Sequence, residues 1–191
     1  MGFYYYNYTY FIFMLPALLL SLFAQFKVQS AFRKYSNFPT SRGVTGREAA
    51  SQVLRFGGVL GVQVDRISGN LTDHFNPSTK VIALSDPVYN VNSIAAVGVA
   101  AHEAGHAIQH EQGYVPIRIR SALVPVTNIG SRLSVPIILI GLLLPVQYDC
   151  VVTIGIALYS LMVLFQLVTL PVEFNASARA LRALDEAGIL Y

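Results

Sequence analysis

The sequence predicts an α+β integral membrane protein that is mainly helical, with about three transmembrane helices and a small antiparallel sheet beside a histidine-bearing helix. Three observations support this fold class. Apolar residues make up 54% of the 191 residues and charged residues only 12%, a balance typical of membrane proteins. Three apolar runs approach or reach the length of a membrane span. Short β-type segments between residues 62 and 84 are separated by Gly, Asn and Pro turns.

The chain shows no composition break or repeat, so we expect one domain covering residues 1–191. The net charge of +3 is modest, and the basic residues flank apolar runs instead of forming a stripe, which argues against a nucleic-acid partner. Cys150 is the only cysteine, so neither a disulfide framework nor a thiolate zinc site is expected.

The first span is predicted at residues 8–26, which carry no charge. The preceding tyrosines resemble an aromatic belt at the membrane interface; they are Tyr4, Tyr5, Tyr6, Tyr8 and Tyr10. No basic residue precedes the run and no small-residue cleavage site follows it, so it is interpreted as a retained anchor. The basic residues Lys27, Arg33 and Lys34 follow, which predicts an external N-terminus and a cytoplasmic segment at 27–120.

Within 27–120, Thr45-Gly46-Arg47-Glu48 has the pattern of a capping box that opens a helix through about Phe56. Three strands are then predicted, at 62–67, 71–75 and 80–84, and they are expected to form the antiparallel sheet. A helix from 94 to about 109 follows, capped by Asn92 or Ser93.

This helix carries His102-Glu103-Ala104-Gly105-His106, an HExxH motif. Histidines four residues apart lie on the same helix face, so both imidazoles can reach one cation, as tetrahedral zinc requires. Glu103 lies roughly 100° around the axis, where its carboxylate can contact a zinc-activated water and take its proton as general base. The motif therefore predicts one zinc ion at His102 and His106, with Glu103 as the catalytic residue.

A membrane hairpin is predicted at 123–170. Its arms are 133–146, which can begin as early as 123, and 151–170, and they are joined by a turn at 145–149. Two buried helices of a soluble protein are the alternative, but neither arm shows a polar face.

Zinc needs a third protein ligand. His110 and Glu111 lie too far along the same helix, and Asp149 is expected across the membrane. Glu173 follows the third span, and two crossings return the chain to the side of His102, so Glu173 is the best candidate. The alternative role of Glu173 is an acidic first-turn residue of a last helix at 171–191, which would begin at Pro171.

Three further side chains could stabilise an oxyanion or contact a substrate: His74, Tyr89 and Tyr114. The sequence does not rank them. A sheet edge beside the HExxH helix would allow a peptide to bind by strand addition.

Four segments together resemble the YugP-type family of neutral zinc-dependent membrane peptidases of bacteria. They are Leu-Thr-Asp-His-Phe-Asn-Pro at 71–77, the HExxH segment at 97–109, Arg-Ile-Arg-Ser-Ala-Leu-Val-Pro at 118–125, and Pro-Val-Glu-Phe-Asn-Ala-Ser at 171–177. The resemblance implies His102 and His106 as zinc ligands and Glu103 as base. The last segment is also similar to HtpX-like and prenyl-protease-like gluzincins, which implies Glu173 as third ligand. Those relatives have Asp where Ser177 stands. Family members also tend to continue beyond the position of Tyr191 with another apolar segment, which would be a fourth span.

The sequence therefore predicts a zinc endopeptidase of the bacterial cytoplasmic membrane that acts on polypeptides, with its active site facing the cytoplasm. Two alternatives remain open. One is an intramembrane-cleaving protease with the HExxH helix inside the bilayer, and the other is a non-enzymatic scaffold with a structural metal. Neither the physiological substrate nor the oligomeric state can be inferred from the sequence.

Overall fold

A computed structural model describes residues 8–189, which form six α-helices and three strands. The helices are α1 (Tyr8–Ser36), α2 (Gly46–Phe56), α3 (Asp86–Tyr89), α4 (Ile94–Glu111), α5 (Val115–Leu143) and α6 (Cys150–Glu186). The strands are β1 (Gln63–Ile67), β2 (His74–Asn76) and β3 (Val81–Ser85). The predicted α+β membrane fold is confirmed. The predicted tyrosine belt is not among the described parts of the structure. Tyr4, Tyr5 and Tyr6 lie outside the described residues, and the side chains of Tyr8 and Tyr10 are not described.

Three helices are long and apolar enough to cross a membrane: Met14–Ser36 within α1, α5, and Cys150–Glu186, which is α6. Helix α1 extends ten residues beyond the predicted end at 26 and carries Lys27, Arg33 and Lys34 in its last part. The first arm of the hairpin, predicted at 133–146, is short for a membrane span. Helix α5 is longer, because it begins at Val115 and has 29 residues.

Glycines bring α5 and α6 together along the hairpin. A Cβ at Gly155 would lie 2.5 Å from the Ile138 side chain, and one at Gly141 would lie 2.7 Å from Val152. Helices in membranes pack through such small residues because lipid supplies no hydrophobic force between them. A short 3-10 helix, Val146–Tyr148, forms the turn of the hairpin at the predicted place.

The predicted start of a separate last helix at Pro171 requires correction, since α6 runs continuously through this residue. Proline usually begins a helix because it lacks an N–H. Long membrane helices nevertheless tolerate internal proline where neighbouring groups satisfy the freed carbonyl. As a result, Glu173 lies on the same rigid helix as the third span.

The apolar core lies between α2, α4 and the last part of α6. Thr45 and Glu48 form the predicted capping box of α2, and this helix packs its face of Ala49, Ala50 and Val53 against α4. Ala180, Ala183 and Leu184 of α6 complete the core. The core therefore fixes the end of α6 against the HExxH helix.

The sheet is mixed, with strand order β1-β3-β2, and the antiparallel prediction holds only for β2 and β3. Strand β1 runs parallel to β3. Strands β1 and β2 do not pair with each other, because β3 lies between them. The Asp73 carboxylate, just before β2, accepts hydrogen bonds from the Ser85 N–H and hydroxyl at the end of β3. These contacts place β2 beside β3 and leave it as an edge strand.

Gly105 allows α4 and α6 to approach closely. A Cβ at this position would lie 2.6 Å from the Ala176 carbonyl oxygen. We expect Gly105→Ala to destabilise the protein by about 1–3 kcal/mol, because backbone cannot move aside as a side chain can. Gly98→Ala on the same helix is the control: its Cβ would meet no atom within 4 Å, and it should unfold at the same or a higher temperature. Equal thermal unfolding of the two variants in detergent would contradict this account of the interface.

Candidate metal centre

Helix α4 presents the two histidines of the motif. The Ser93 hydroxyl accepts a hydrogen bond from the Ala96 N–H and so caps the start of this helix. The rings of His102 and His106 lie 4.7 Å apart between centroids, nearly perpendicular to each other. Both rings point towards α6.

Glu173 on α6 meets both histidines. Its Oε2 atom lies 3.1 Å from His102 Nε2 and 3.3 Å from His106 Nε2. In the sequence, Glu173 lies 71 residues after His102 and 67 residues after His106. Each of the three side chains offers one ligand atom, and these atoms lie within 4.8 Å of one another. The prediction from the hairpin that Glu173 returns to the side of His102 thus agrees with the geometry.

This donor set fits a zinc ion. In a tetrahedral site with zinc–ligand bonds of about 2.0–2.2 Å, neighbouring ligand atoms lie roughly 3.3–3.6 Å apart. The two separations between histidine nitrogen and glutamate oxygen are close to this distance. Two imidazoles and one carboxylate also leave a fourth position free, as catalytic zinc sites do.

Gln109 fixes the orientation of His106. Its amide nitrogen donates to the Val172 carbonyl at 2.8 Å and to Asn175 Oδ1 at 2.9 Å. Its amide oxygen therefore faces His106 Nδ1 at 3.1 Å and accepts a hydrogen bond from it. Because Nδ1 carries the hydrogen, Nε2 of the neutral His106 ring is left with a lone pair for a metal.

Ser177 has the same effect on His102. Its hydroxyl oxygen lies 3.1 Å from His102 Nδ1, so it can accept the Nδ1 hydrogen and leave Nε2 towards Glu173. The serine hydroxyl thus contacts this histidine from helix α6. A neutral acceptor there adds no negative charge beside the site.

The site is arranged to attract a cation. Burial raises the pKa of the Glu103 carboxyl above its usual value, although the positive charge of protonated His106 and His102 opposes this effect. Burial lowers the pKa of His106, but the hydrogen bond and negative charge of Glu173 outweigh it, so the pKa of His106 is raised. The negative charge of Glu173 thus favours a positive charge at His106.

A cavity of about 240 Å³ opens beside the three side chains. Glu103 lies on its wall, and so do His74 and Phe75 of β2 and Arg120 of α5. Arg120 Nη2 lies 4.0 Å from Glu173 Oε1, and its Nε is buried without a hydrogen-bond partner among the described residues.

Sequence reasoning placed Arg120 among the topology signals and missed Gln109 and Asn175. The spacing of Gln109, three residues after His106 on one helix face, was a usable signal. No local pattern marks Arg120, because its position in the cavity depends on how α5 packs against α4.

The other three predicted candidates lie in different places. His74 lines the cavity, and its Nδ1 donates to the Thr72 carbonyl at 2.9 Å. Among the described residues that line this cavity, neither Tyr89 nor Tyr114 occurs. The guanidinium of Arg47 lies over the Tyr89 ring, and that of Arg179 lies over the Tyr114 ring. Both tyrosines are thus engaged in cation–π contacts.

Two histidines and a glutamate that could hold a metal ion thus converge beside a cavity, in a chain with three candidate membrane spans among its described residues. Comparison with known proteins identifies the family. Residues 10–191 match the family described as "Putative neutral zinc metallopeptidase", and the chain belongs to this family.

A relative from Bacillus subtilis (strain 168), described as "Putative membrane protease YugP", is 45% identical over 181 residues. The matched region covers 94% of this chain and 80% of the relative. No solved structure matches the chain. The suggested resemblance to YugP-type zinc peptidases is thereby confirmed.

Proposed function

We propose that this protein is a membrane-bound zinc endopeptidase that hydrolyses peptide bonds with Glu103 as general base. One observation carries the proposal: the His102, His106 and Glu173 group lies at the wall of a cavity that also contains the half-buried Glu103. A structural metal would need no carboxylate of raised pKa at the mouth of its site.

Zinc held by the three side chains would supply a Lewis acid that polarises water and makes it acidic near neutral pH. Glu103 takes the proton of the attacking water and passes it to the leaving amine. The raised pKa of its carboxyl suits both transfers, since a base must also be able to give its proton back. Gln109 and Ser177 keep the histidine rings in the orientation this chemistry needs.

Arg120 and His74 are the candidates for stabilising the oxyanion that forms at the substrate carbonyl. Arg120 lies on the wall of the cavity, its buried Nε has no hydrogen-bond partner among the described residues, and its guanidinium is positively charged. Preorganised donors of this kind gain strength where water is excluded. His74 also lines the cavity, but its Nδ1 hydrogen is donated to the Thr72 carbonyl, so only the imidazolium form of the ring can donate to an oxyanion from Nε2 as well.

Strand β2 supplies the route for the substrate backbone. It is an edge strand, and its residues His74 and Phe75 line the cavity. An extended peptide could add to this edge by strand pairing, which would carry the scissile bond past Glu103. The hydrogen bonds of strand pairing join main-chain groups, so they do not require particular side chains on the bound peptide.

Metal removal tests the proposal. The purified protein in detergent should degrade a loosely folded polypeptide, lose at least about 100-fold of this activity on chelation, and regain it with one equivalent of zinc. Magnesium provides the control, because it prefers oxygen ligands and should not restore activity. Activity that survives complete zinc removal would contradict the proposal.

The proposal also places the protein in the bacterial cytoplasmic membrane with its active site on the cytoplasmic side. Helix α4 lies outside the bilayer in this arrangement, because it packs in the core with α2 and ends in exposed His110 and Glu111. Two crossings by α5 and α6 would keep Glu173 on the same side. This argues against a protease that cleaves within the bilayer.

Cysteine labelling tests this topology. Cys150 is exposed at the turn of the hairpin, which this topology places on the outer side of the cytoplasmic membrane. A membrane-impermeant maleimide should therefore label it in intact cells from which the outer layers of the cell envelope have been removed. In a Cys150→Ser background, Cys introduced at Ser51 on α2 should react only after lysis. Labelling of both positions from the same side would contradict the topology.

A further inference from the structure

An apolar groove lies between the first candidate membrane helix and the HExxH helix. The groove, called the α1–α4 groove, has a volume of about 350 Å³. It is lined by α1 and the first half of α4, through Val28, Ala31, Phe32, Tyr35, Ile94, Ala95, Gly98 and Val99. All but one of these side chains are free of polar atoms, so the groove suits an apolar occupant.

A second cavity of about 310 Å³ lies between the groove and the site. Gly98 and Val99 line both the groove and this second cavity. Asp73, His102 and Glu103 line both the second cavity and the catalytic cavity. The three spaces therefore follow one another along α4, from the side of α1 to the general base.

Leu71 lines the second cavity. It is 47% exposed, and its backbone is in the left-handed region at φ 54°. An apolar residue rarely adopts this conformation, and such outliers persist where function retains them. The strained backbone holds an apolar side chain beside Glu103.

We propose that the α1–α4 groove binds an apolar stretch of the substrate polypeptide, on one side of the bond that is cleaved. This inference rests on the proposed peptidase function and adds the substrate class. The distance sets the register: eight residues of helix from Ile94 to His102 span about 12 Å, which an extended peptide covers with about four residues. The groove therefore selects apolar residues about three to four positions from the scissile bond.

The position of the groove on α1 indicates where such substrates come from. Val28 and Phe32 lie in the last part of the candidate span Met14–Ser36, where Lys27 and Arg33 mark the edge of the membrane. A polypeptide anchored in the same membrane would present its apolar residues at this level. The substrate class is thus a polypeptide cleaved next to an apolar, membrane-adjacent segment.

Two matched peptides test the inference. They share one scissile bond and differ only three to four residues away, where one carries leucines and the other serines. The wild-type protein should cleave the leucine peptide with a kcat/KM at least about tenfold higher, since burying one leucine-sized side chain contributes that much or more. The measured quantity is the ratio of the two kcat/KM values.

Two variants should lower this ratio towards one. Gly98→Leu fills the groove, and a Cβ at this position would meet no atom within 4 Å. Val28→Gln makes the far end of the groove polar without changing α4. Val115→Gln is the control for the second variant, because Val115 is 62% exposed, Val28 is 64% exposed, and Val115 does not line the groove.

The outcomes separate this inference from the proposed function. If the wild type cleaves both peptides at equal kcat/KM, the groove proposal is overturned while the peptidase proposal stands. If Val28→Gln and Val115→Gln change the ratio equally, or if Val28→Gln removes a copurifying lipid and leaves the ratio unchanged, the groove is not a peptide site. If neither peptide is cleaved and a broad library is also untouched, the proposed function itself fails.

Discussion

Glu103→Gln protein should bind one zinc per chain, as the wild type does, and hydrolyse peptides about 10²- to 10⁴-fold more slowly. Glutamine keeps the shape of the side chain but cannot take a proton from water. Because burial already raises the pKa of the Glu103 carboxyl, the neutral amide should be accepted without loss of stability. Single-turnover hydrolysis and zinc content, measured on the same preparation, check both statements.

The control for this variant is Glu111→Gln, on the same helix. Glu111 is exposed and lies 3.9 Å from Lys80 Nζ, in an ion pair of the surface type that contributes little. It should retain full turnover. Glu103→Gln protein that turns over at the wild-type rate would remove Glu103 from the mechanism.

Glu173→Ala should weaken zinc binding by more than about 100-fold and abolish hydrolysis in the absence of added zinc. Loss of groups that only orient zinc ligands costs 10–100-fold, and a ligand itself must count for more. The substitution also removes the carboxylate that both histidine Nε2 atoms face. Competition with a calibrated chelator measures the affinity.

Glu186→Ala is the matched control, since Glu186 is the exposed last residue of the same helix. It should bind zinc with wild-type affinity. If Glu173→Ala bound zinc as tightly as Glu186→Ala, another group would have to be the third ligand and the site would need to be redrawn.

Much of the site could be predicted from the sequence because its parts depend on local rules. The capping box at Thr45, the Ser93 cap and the spacing of the HExxH motif are each set within a few residues. Glu173 required a longer argument, in which the number of membrane crossings decided the side of its helix. That argument needed no contact information, and the structure places Glu173 against both histidines.

The rest could not be predicted, because it depends on packing between distant segments. The parallel pairing of β1 with β3 joins two strands that are separated in the sequence by β2. Whether a helix continues through Pro171 depends on which segments pack against it, and the sequence does not show which segments these are. Arg120 reaches the cavity only through the path of α5, and the α1–α4 groove exists only where two separate helices meet.

The central claim is that one zinc site in this chain hydrolyses peptide bonds. The most direct measurement exposes the wild-type protein to a broad peptide library and determines zinc content on the same sample. We expect one zinc per chain and cleavage at internal bonds, detected by mass spectrometry of the products. One bound zinc per chain with every peptide intact would contradict the claim and leave a membrane scaffold that holds a structural metal.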